Sequence, residues 1–334
     1  MEYWSWLWPA VAIWAADRSL RLVRLVYCNL HVNITLDGLR RTRSWASYDK
    51  ASNIVRLRVR PGTLQLAPGQ YFFLYQPFRL TGWESHPFTV GAWSYGPEVP
   101  AESKSGDIDQ VPLLSEPPSG SADTDPAAES PGLQLIFWIR PYDGWTRQLR
   151  DECLRSPDRT RPVTLLLEGP YGGPFPLWHY DSVLFVVGGT GIAAAVPYIQ
   201  EHLRRSATGS TRTCDLHLVW TSRQMSFWAG IATQELQPAL ACSQLRASLY
   251  MTGTGGSDPA ASARLADSGV EMATGRPDLT SVVVRHVEQA RLSECSTAVV
   301  VCGPRGMADE TRTGVSKAMR RGYEVRYVEE SFSW

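Results

Sequence analysis

The chain has 334 residues, enough for two domains at roughly 100–200 residues each. Lys+Arg and Asp+Glu both total 33, so the basic excess that marks a nucleic-acid binder is missing. Six scattered cysteines without a C-x-x-C pair, and six scattered histidines without H-E-x-x-H, argue against a disulfide framework and against a metal site made from protein ligands.

The first element is apolar. Trp4 to Ala16 carries no charge, yet it is shorter than the roughly 17 to 20 residues a membrane span needs. Glu2 precedes it and Arg18, Arg21 and Arg24 follow, the reverse of a signal peptide's charge order. Those arginines recur every third residue, beside Leu20, Leu22, Val23 and Leu25, which predicts a helix with one basic side. Residues 1–30 therefore read as a membrane-proximal helix. It is either the cytoplasmic end of a transmembrane segment, with basic residues inside, or an interfacial docking helix.

From Asn53 the pattern changes to strands. Ile54, Val55, Leu57 and Val59 alternate with Arg56, Arg58 and Arg60, the period of a strand with one buried face. Pro61-Gly62 and Pro68-Gly69 punctuate the text before the aromatic run Gln70 to Tyr75. Short strands between such turns predict a small antiparallel barrel over residues 31–180. Residues 94–132 are rich in Pro, Ser, Gly, Asp and Glu, and read as a disordered insert in a barrel loop, because strand text resumes at Leu133–Ile139.

Residues 181–334 alternate strand and helix. Val183–Val187 is a continuous apolar run suited to a parallel strand covered on both faces, and a helix is expected from about Ile192 to Arg204. Leu216–Trp220 and Ala298–Val301 are further strands, and the βαβ rhythm predicts a doubly wound α/β domain.

Glycine turns mark the candidate sites. Gly188-Gly189-Thr190-Gly191-Ile192 follows the best parallel strand, where glycines allow close approach of a phosphate and a helix N-terminus offers free N–H groups. Its spacing is not that of G-x-G-x-x-G. Gly144-Trp145-Thr146 is a second phosphate-suited turn, with Thr146 a possible N-cap. Glu168-Gly169-Pro170-Tyr171-Gly172-Gly173 is a further glycine-rich turn, and His86-Pro87-Phe88-Thr89, taken alone, reads as a proline turn with an incidental histidine.

In this order, followed by Cys302-Gly303-Pro304 and the terminal Glu329-Glu330-Ser331-Phe332-Ser333-Trp334, these motifs resemble the C-terminal FAD- and NADPH-binding half of fungal-type ferric-chelate reductases, relatives of NADPH oxidases and of ferredoxin–NADP reductases. The likeness runs from about Asp17 to Trp334. It implies that His86, Pro87, Phe88 and Thr89 line the flavin, that Gly144, Trp145 and Thr146 cradle the FAD diphosphate, and that Gly169, Tyr171 and Gly172 belong to the cofactor-binding set. It implies that Gly188, Gly189, Thr190, Gly191 and Ile192 hold the NADPH diphosphate, that Cys302, Gly303 and Pro304 shape the nicotinamide pocket, and that Trp334 stacks on the flavin. Arg223 and Arg276 are its candidates for the NADPH 2′-phosphate; without the resemblance each reads as a solvated surface arginine.

The activity so implied is hydride transfer from NADPH to FAD, then release of single electrons to an acceptor, with Cys302 and Trp334 at the reacting centre and ferric chelate as the final acceptor. In the family the electrons pass through haems in a membrane domain. No histidine lies in the apolar run here, so that haem-bearing domain is expected to be absent from this chain, with the flavin and NADPH domains on the cytoplasmic side of a membrane. Two rivals stay open: a superoxide-generating NADPH oxidase module, and a truncated, catalytically silent fragment that docks to a membrane partner through residues 1–30.

Overall fold

The computed structural model describes residues 3–32, 39–61, 64, 66–76, 86–96, 132–253 and 270–330. Helix α1 (Tyr3–Asn29) leads into the paired strands β1 (Leu30–Val32) and β2 (Leu39–Arg41). Two antiparallel sheets follow. The larger has the order β7-β8-β4-β3-β9, built from β3 (Arg43–Asp49), β4 (Ile54–Arg60), β7 (Ala92–Gly96), β8 (Gly132–Ile139) and β9 (Thr160–Pro162). The smaller has the order β10-β5-β6, from β5 (Tyr71–Tyr75), β6 (His86–Thr89) and β10 (Leu166–Tyr171). Val55, Leu57, Phe72, Leu74, Phe137 and Leu167 meet between the sheets, so the pair forms a flattened barrel around one core. Helix α2 (Gly144–Leu154) adds Trp145, Leu149 and Cys153 to that core.

The boundary of the expected insert shifts. Ser94, Tyr95 and Gly96 pair with Gln134, Leu133 and Gly132, so the ladder of β7 and β8 reaches into the 94–132 stretch from both ends. Residues 97–131, the rest of that insert, lie outside the described residues.

The second half is a six-stranded parallel sheet in the order β14-β13-β12-β11-β15-β16. Its strands are β11 (Ser182–Gly188), β12 (Asp215–Ser222), β13 (Leu245–Met251), β14 (Glu271–Thr274), β15 (Thr297–Cys302) and β16 (Val325–Glu329). Helices α3 (Val196–Ala207), α4 (Met225–Gln234), α5 (Gln237–Leu240), α6 (Leu279–Leu292) and α7 (Arg305–Arg320) connect them. β11 is buried from Ser182 to Val187, as a central strand covered on both faces must be. The single helix expected from Ile192 is divided: a 3-10 segment, Gly189–Ala194, precedes α3. Pro197 accounts for the break, because its ring is tolerated in a first turn but collides with the preceding turn inside a helix.

The chain starts this sheet in the middle, winds outward through β12, β13 and β14, then returns to place β15 on the other side of β11. The reversal lies between β11 and β15, where open α/β sheets bind ligands beyond the strand carboxyl ends.

The two halves share apolar packing. Ile54, Ala92, Ile136 and Trp138 of the larger antiparallel sheet are buried with Phe227, Trp228 and Ala193. The Trp138 ring meets Phe227 edge-on at 6.3 Å, and Gly91 makes room, since a Cβ there would lie 2.6 Å from the Trp138 ring. The arginine face of β4 is thus not a solvent face. Arg56 pairs with Glu235 (side chains 14% and 4% exposed) and Gln234, at the end of α4.

Candidate functional site

Along β6 the His-Pro-Phe-Thr segment is an edge strand and not a turn. Leu74 pairs with His86, Phe73 with Pro87, Phe72 with Phe88 and Tyr71 with Thr89. Proline suits an edge, where its missing N–H breaks no ladder, and the outer rim of β6 keeps backbone groups open to a ligand. Trp145 joins this strand to the start of α2. Its ring is stacked near His86 at 6.4 Å and 23°, and stands edge-on to Phe88 at 5.6 Å. Two segments 56 or more residues apart in sequence therefore form one corner, and the buried indole N–H of Trp145 has no acceptor among the described residues. That orphan donor suits an acceptor-rich group such as a flavin or its phosphates.

The N-cap of α2 differs from expectation. Asp143, with extended backbone, caps the helix by accepting from the Gly144 N–H at 2.9 Å. Thr146 lies inside the first turn, where its hydroxyl donates to the Asp143 carbonyl (2.8 Å) and accepts from Tyr142 N–H (3.2 Å). Aspartate wins because an extended residue one place ahead of the helix can reach a free N–H, whereas Thr146 already has helical backbone. Gly144 takes φ +54°, the left-handed region that favours glycine.

At the reversal of the parallel sheet the second group converges. A Cβ on Gly188 would lie 3.0 Å from Pro304 Cδ and from Met307 Cε, and one on Gly303 would lie 2.6 Å from Met307 Sδ. Gly189 has φ +55° and open space where a side chain would stand, and its carbonyl accepts the Trp220 indole N–H at 3.0 Å. Gly188 to Ile192 and Cys302 to Pro304 thus pack closely together, and among these glycines Gly189 is the one that opens onto free space, where a phosphate could approach the backbone. Ile192 is buried in the core beneath it, anchoring the turn. The Cys302 thiol is buried, and burial, with Glu330 as a second influence, pushes its pKa up so that it stays protonated.

Glu330 is a residue that sequence reasoning quoted without a role. Its N–H donates to the Val301 carbonyl at 2.9 Å, and burial raises its carboxyl pKa. Tyr198, pushed up to about 12 by burial, also feels Glu330, so a thiol, a carboxyl and a phenol share the neighbourhood of the cradle.

Arg223 is exposed directly after β12, its carbonyl close against Gly253, where a Cβ would lie 2.5 Å away. Arg140, which follows β8, was missed by sequence reasoning. Partial burial, and then repulsion from Arg223, hold its guanidinium below the ordinary value. One cation from each half is therefore near enough to the other to repel it, and neither makes an ion pair among the described residues. The signal was a lone arginine ending an apolar strand just ahead of Gly144-Trp145-Thr146. Arg276 is exposed after β14, on the outer edge of the sheet. Gly169, Tyr171 and Gly172 lie on and just beyond β10, next to β5, with a Cβ on Gly169 2.6 Å from the Phe72 ring. Trp334 lies outside the described residues. Among the described residues no group of three or more His, Cys, Asp or Glu is arranged to hold a metal ion.

Residues 180–316 match the family described as the ferric reductase NAD binding domain. The chain is similar to ferric reductase transmembrane component 5 of Saccharomyces cerevisiae, 24% identical over 349 residues, covering 99% of this chain and 42% of that protein. It is also similar to a probable cell surface ferric reductase of Aspergillus oryzae, 28% identical over 222 residues, covering 66% of this chain and 25% of that protein. The chain therefore spans less than half the length of these relatives. Among solved structures, a ferredoxin–NADP+ reductase from Plasmodium falciparum matches with a TM-score of 0.44 and 8% identity, covering 91% of this chain and 100% of that one.

Proposed function

We propose that this chain, whose residues 180–316 match the ferric reductase NAD binding domain, is an NADPH-dependent flavoprotein oxidoreductase that delivers electrons for ferric-chelate reduction. One observation supports the reading: the edge strand β6 with Trp145, and the glycine turn packed on the end of β15, lie one on each half of a single packed body. Bound FAD supplies a hydride acceptor that can release electrons singly.

The chain's own residues bind and orient. His86, Pro87, Phe88 and Thr89 line the flavin with Trp145, and the start of α2 at Gly144 and Thr146 receives its diphosphate, with Gly169, Tyr171 and Gly172 on the neighbouring strand. The turn from Gly188 through Gly189, Thr190 and Gly191 to Ile192, open at Gly189, takes the NADPH diphosphate. Arg223 and Arg140 repel one another and make no ion pair among the described residues, which suits a phosphate, and Arg276 is a further cation for the 2′-phosphate. Cys302, with Gly303 and Pro304, borders the nicotinamide and keeps its proton; Glu330 stands beside it. Trp334 is assigned to flavin stacking by the motif alone.

Ferric reduction as the outcome is favoured by the names of the relatives, which are ferric reductases. Membrane association through α1 is supported by the exposed Leu7, Trp8, Val11, Ile13 and Trp14, although no helix among the described residues is long and apolar enough to cross a membrane; a cytoplasmic placement of the flavin and NADPH halves rests on Arg18, Arg21 and Arg24 after the apolar run. The acceptor of the electrons is proposed to be a haem-bearing membrane domain.

The test is an absorbance spectrum of the purified chain with FAD, followed by anaerobic addition of NADPH. Bleaching of the flavin bands, and Fe(II) formation when a ferric chelate is added, is the expected result. A chain that binds no flavin, or flavin that NADPH does not bleach, would overturn it.

A further inference from the structure

Helix α1 does more than expose an apolar surface. Strand β10 is an edge of the three-stranded sheet, and its pairing with β5 is interrupted between Glu168 and Tyr171. Such a gap leaves backbone groups without a ladder partner. Side chains of α1 cover the outer edge of β10 at Leu167 and the interrupted stretch beyond it. The Asn29 amide donates to the Leu167 carbonyl (2.7 Å) and accepts from the Leu167 N–H (2.9 Å), imitating a strand partner. Cys28 donates its thiol proton to the Gly169 carbonyl at 2.9 Å, and Arg24 donates to the Pro170 carbonyl at 2.8 Å. The same Arg24 guanidinium lies 4.3 Å from the centre of the Tyr171 ring, which stacks on Tyr71 at 5.6 Å.

Glu168 is the centre of this contact. It is 1% exposed, accepts the hydroxyls of Tyr75 and Tyr171, and lies 3.6 Å from the Arg21 guanidinium, which also binds Asp17 of its own helix at 3.2 Å. A carboxylate this deep needs all its partners, because removing one leaves a buried charge uncompensated. Every residue from Leu167 to Tyr171 is therefore held by α1, and Tyr71 carries the contact on to Thr89, its partner across β5 and β6.

We infer that Arg21 and Glu168 are positioning residues which lock helix α1 to the Gly169–Gly172 segment, so that the placement of the helix sets how well the flavin cradle holds its cofactor. The inference rests on the proposed flavin reading of that segment. A helix shifted by whatever grips its apolar surface would release Glu168 and loosen the strand beside Thr89.

The experiment uses the full chain in detergent micelles and compares wild type, Arg21→Met, Arg24→Met, the double variant and Arg21→Lys. Hydrogen exchange of residues 167–172, FAD affinity and NADP+ affinity are measured on each. The expected result is faster exchange at 167–172 and FAD binding weakened about tenfold in the double variant, near the value of one charge-assisted hydrogen bond, and in part in Arg21→Met, with NADP+ affinity held within about twofold and with Arg21→Lys staying near wild type where Arg21→Met does not. Faster exchange with unchanged FAD affinity would overturn the positioning role and leave a structural contact only. Unchanged exchange would overturn the lock itself. A wild-type chain that takes up no FAD would overturn the functional reading, while the exchange data would still report whether α1 holds the strand.

Discussion

A Cβ on Gly191 would lie 2.4 Å from the carbonyl oxygen of Cys302, so the turn after β11 and the end of β15 touch backbone to backbone. The obstacle is a carbonyl in a buried strand and cannot swing aside. Gly191→Ala is expected to push the turn away from β15, destabilising the chain by ~1–3 kcal/mol as an overpacked site does, and to weaken NADPH binding more than FAD binding. Thermal melts and separate titrations of the two cofactors check this. Gly189→Ala meets no atom, and its effect should come only from the strained backbone at φ +55°.

The mutually repelling cations Arg140 and Arg223 give a specificity test. Arg223→Ala is expected to raise KM for NADPH by roughly 10- to 100-fold, about 1.4 kcal/mol for each factor of ten, while KM for NADH changes little. If Arg140 meets the shared diphosphate and not the 2′-phosphate, Arg140→Met should raise both KM values together. Steady-state kinetics with the two nucleotides separate these roles.

A buried histidine pair predicts acid sensitivity far from the cofactor cradles. His217 and His286 lie 5.8 Å apart, bonded to Ser248 and Ser182, with Asp215, Arg246 and Glu271 around them. Burial pushes both imidazoles down to about 4, and repulsion by His286 and Arg246 adds to the effect at His217. Each stays neutral when folded, whereas the unfolded chain takes up a proton below the ordinary 6.5. Stability is therefore present above that value and falls as pH drops from 6.5 toward 4, by ~2 kcal/mol for one histidine at about pH 5. Melting temperatures across this range should decline for wild type, and less steeply for His286→Gln.

Across the shared face, Glu235→Ala would leave Arg56 beside Arg58 without its carboxylate. Arg58 already has its guanidinium lowered by burial and by Arg56. The substitution is expected to destabilise the joined halves by ~3–5 kcal/mol, the range for breaking a buried pair. Replacing Arg56 and Glu235 together with leucines should recover much of that loss. Denaturant midpoints of the three variants check the order.

Part of this architecture was legible before any coordinates. The uninterrupted apolar runs at Val183–Val187 and Ala298–Val301 read as strands covered on both sides and are β11 and β15, and the glycines after the first make the close turn against β15. Other parts needed the third dimension. His86–Thr89 reads as a turn because Pro87 breaks ladders, yet an edge strand has no ladder on its outer side. Arg56 and Arg58 match a solvent face by period alone; only the position of α4 shows that they are covered. Arg140 is an ordinary strand-end cation until the fold brings Arg223 to it, and Asp143 displaces Thr146 as the cap through backbone geometry that composition does not encode.

The packing of Trp138 against Phe227 bears on how the molecule can be divided. The two halves do not meet through a thin hinge: Ile54, Ala92, Ile136 and Trp138 on one side and Phe227, Trp228 and Ala193 on the other are buried as a single cluster. Severed near Asp181, each piece would carry a wet apolar scar that the intact chain hides. The pieces should be sparingly soluble alone and should recover when mixed, because each is the solvent-exclusion partner the other was folded against.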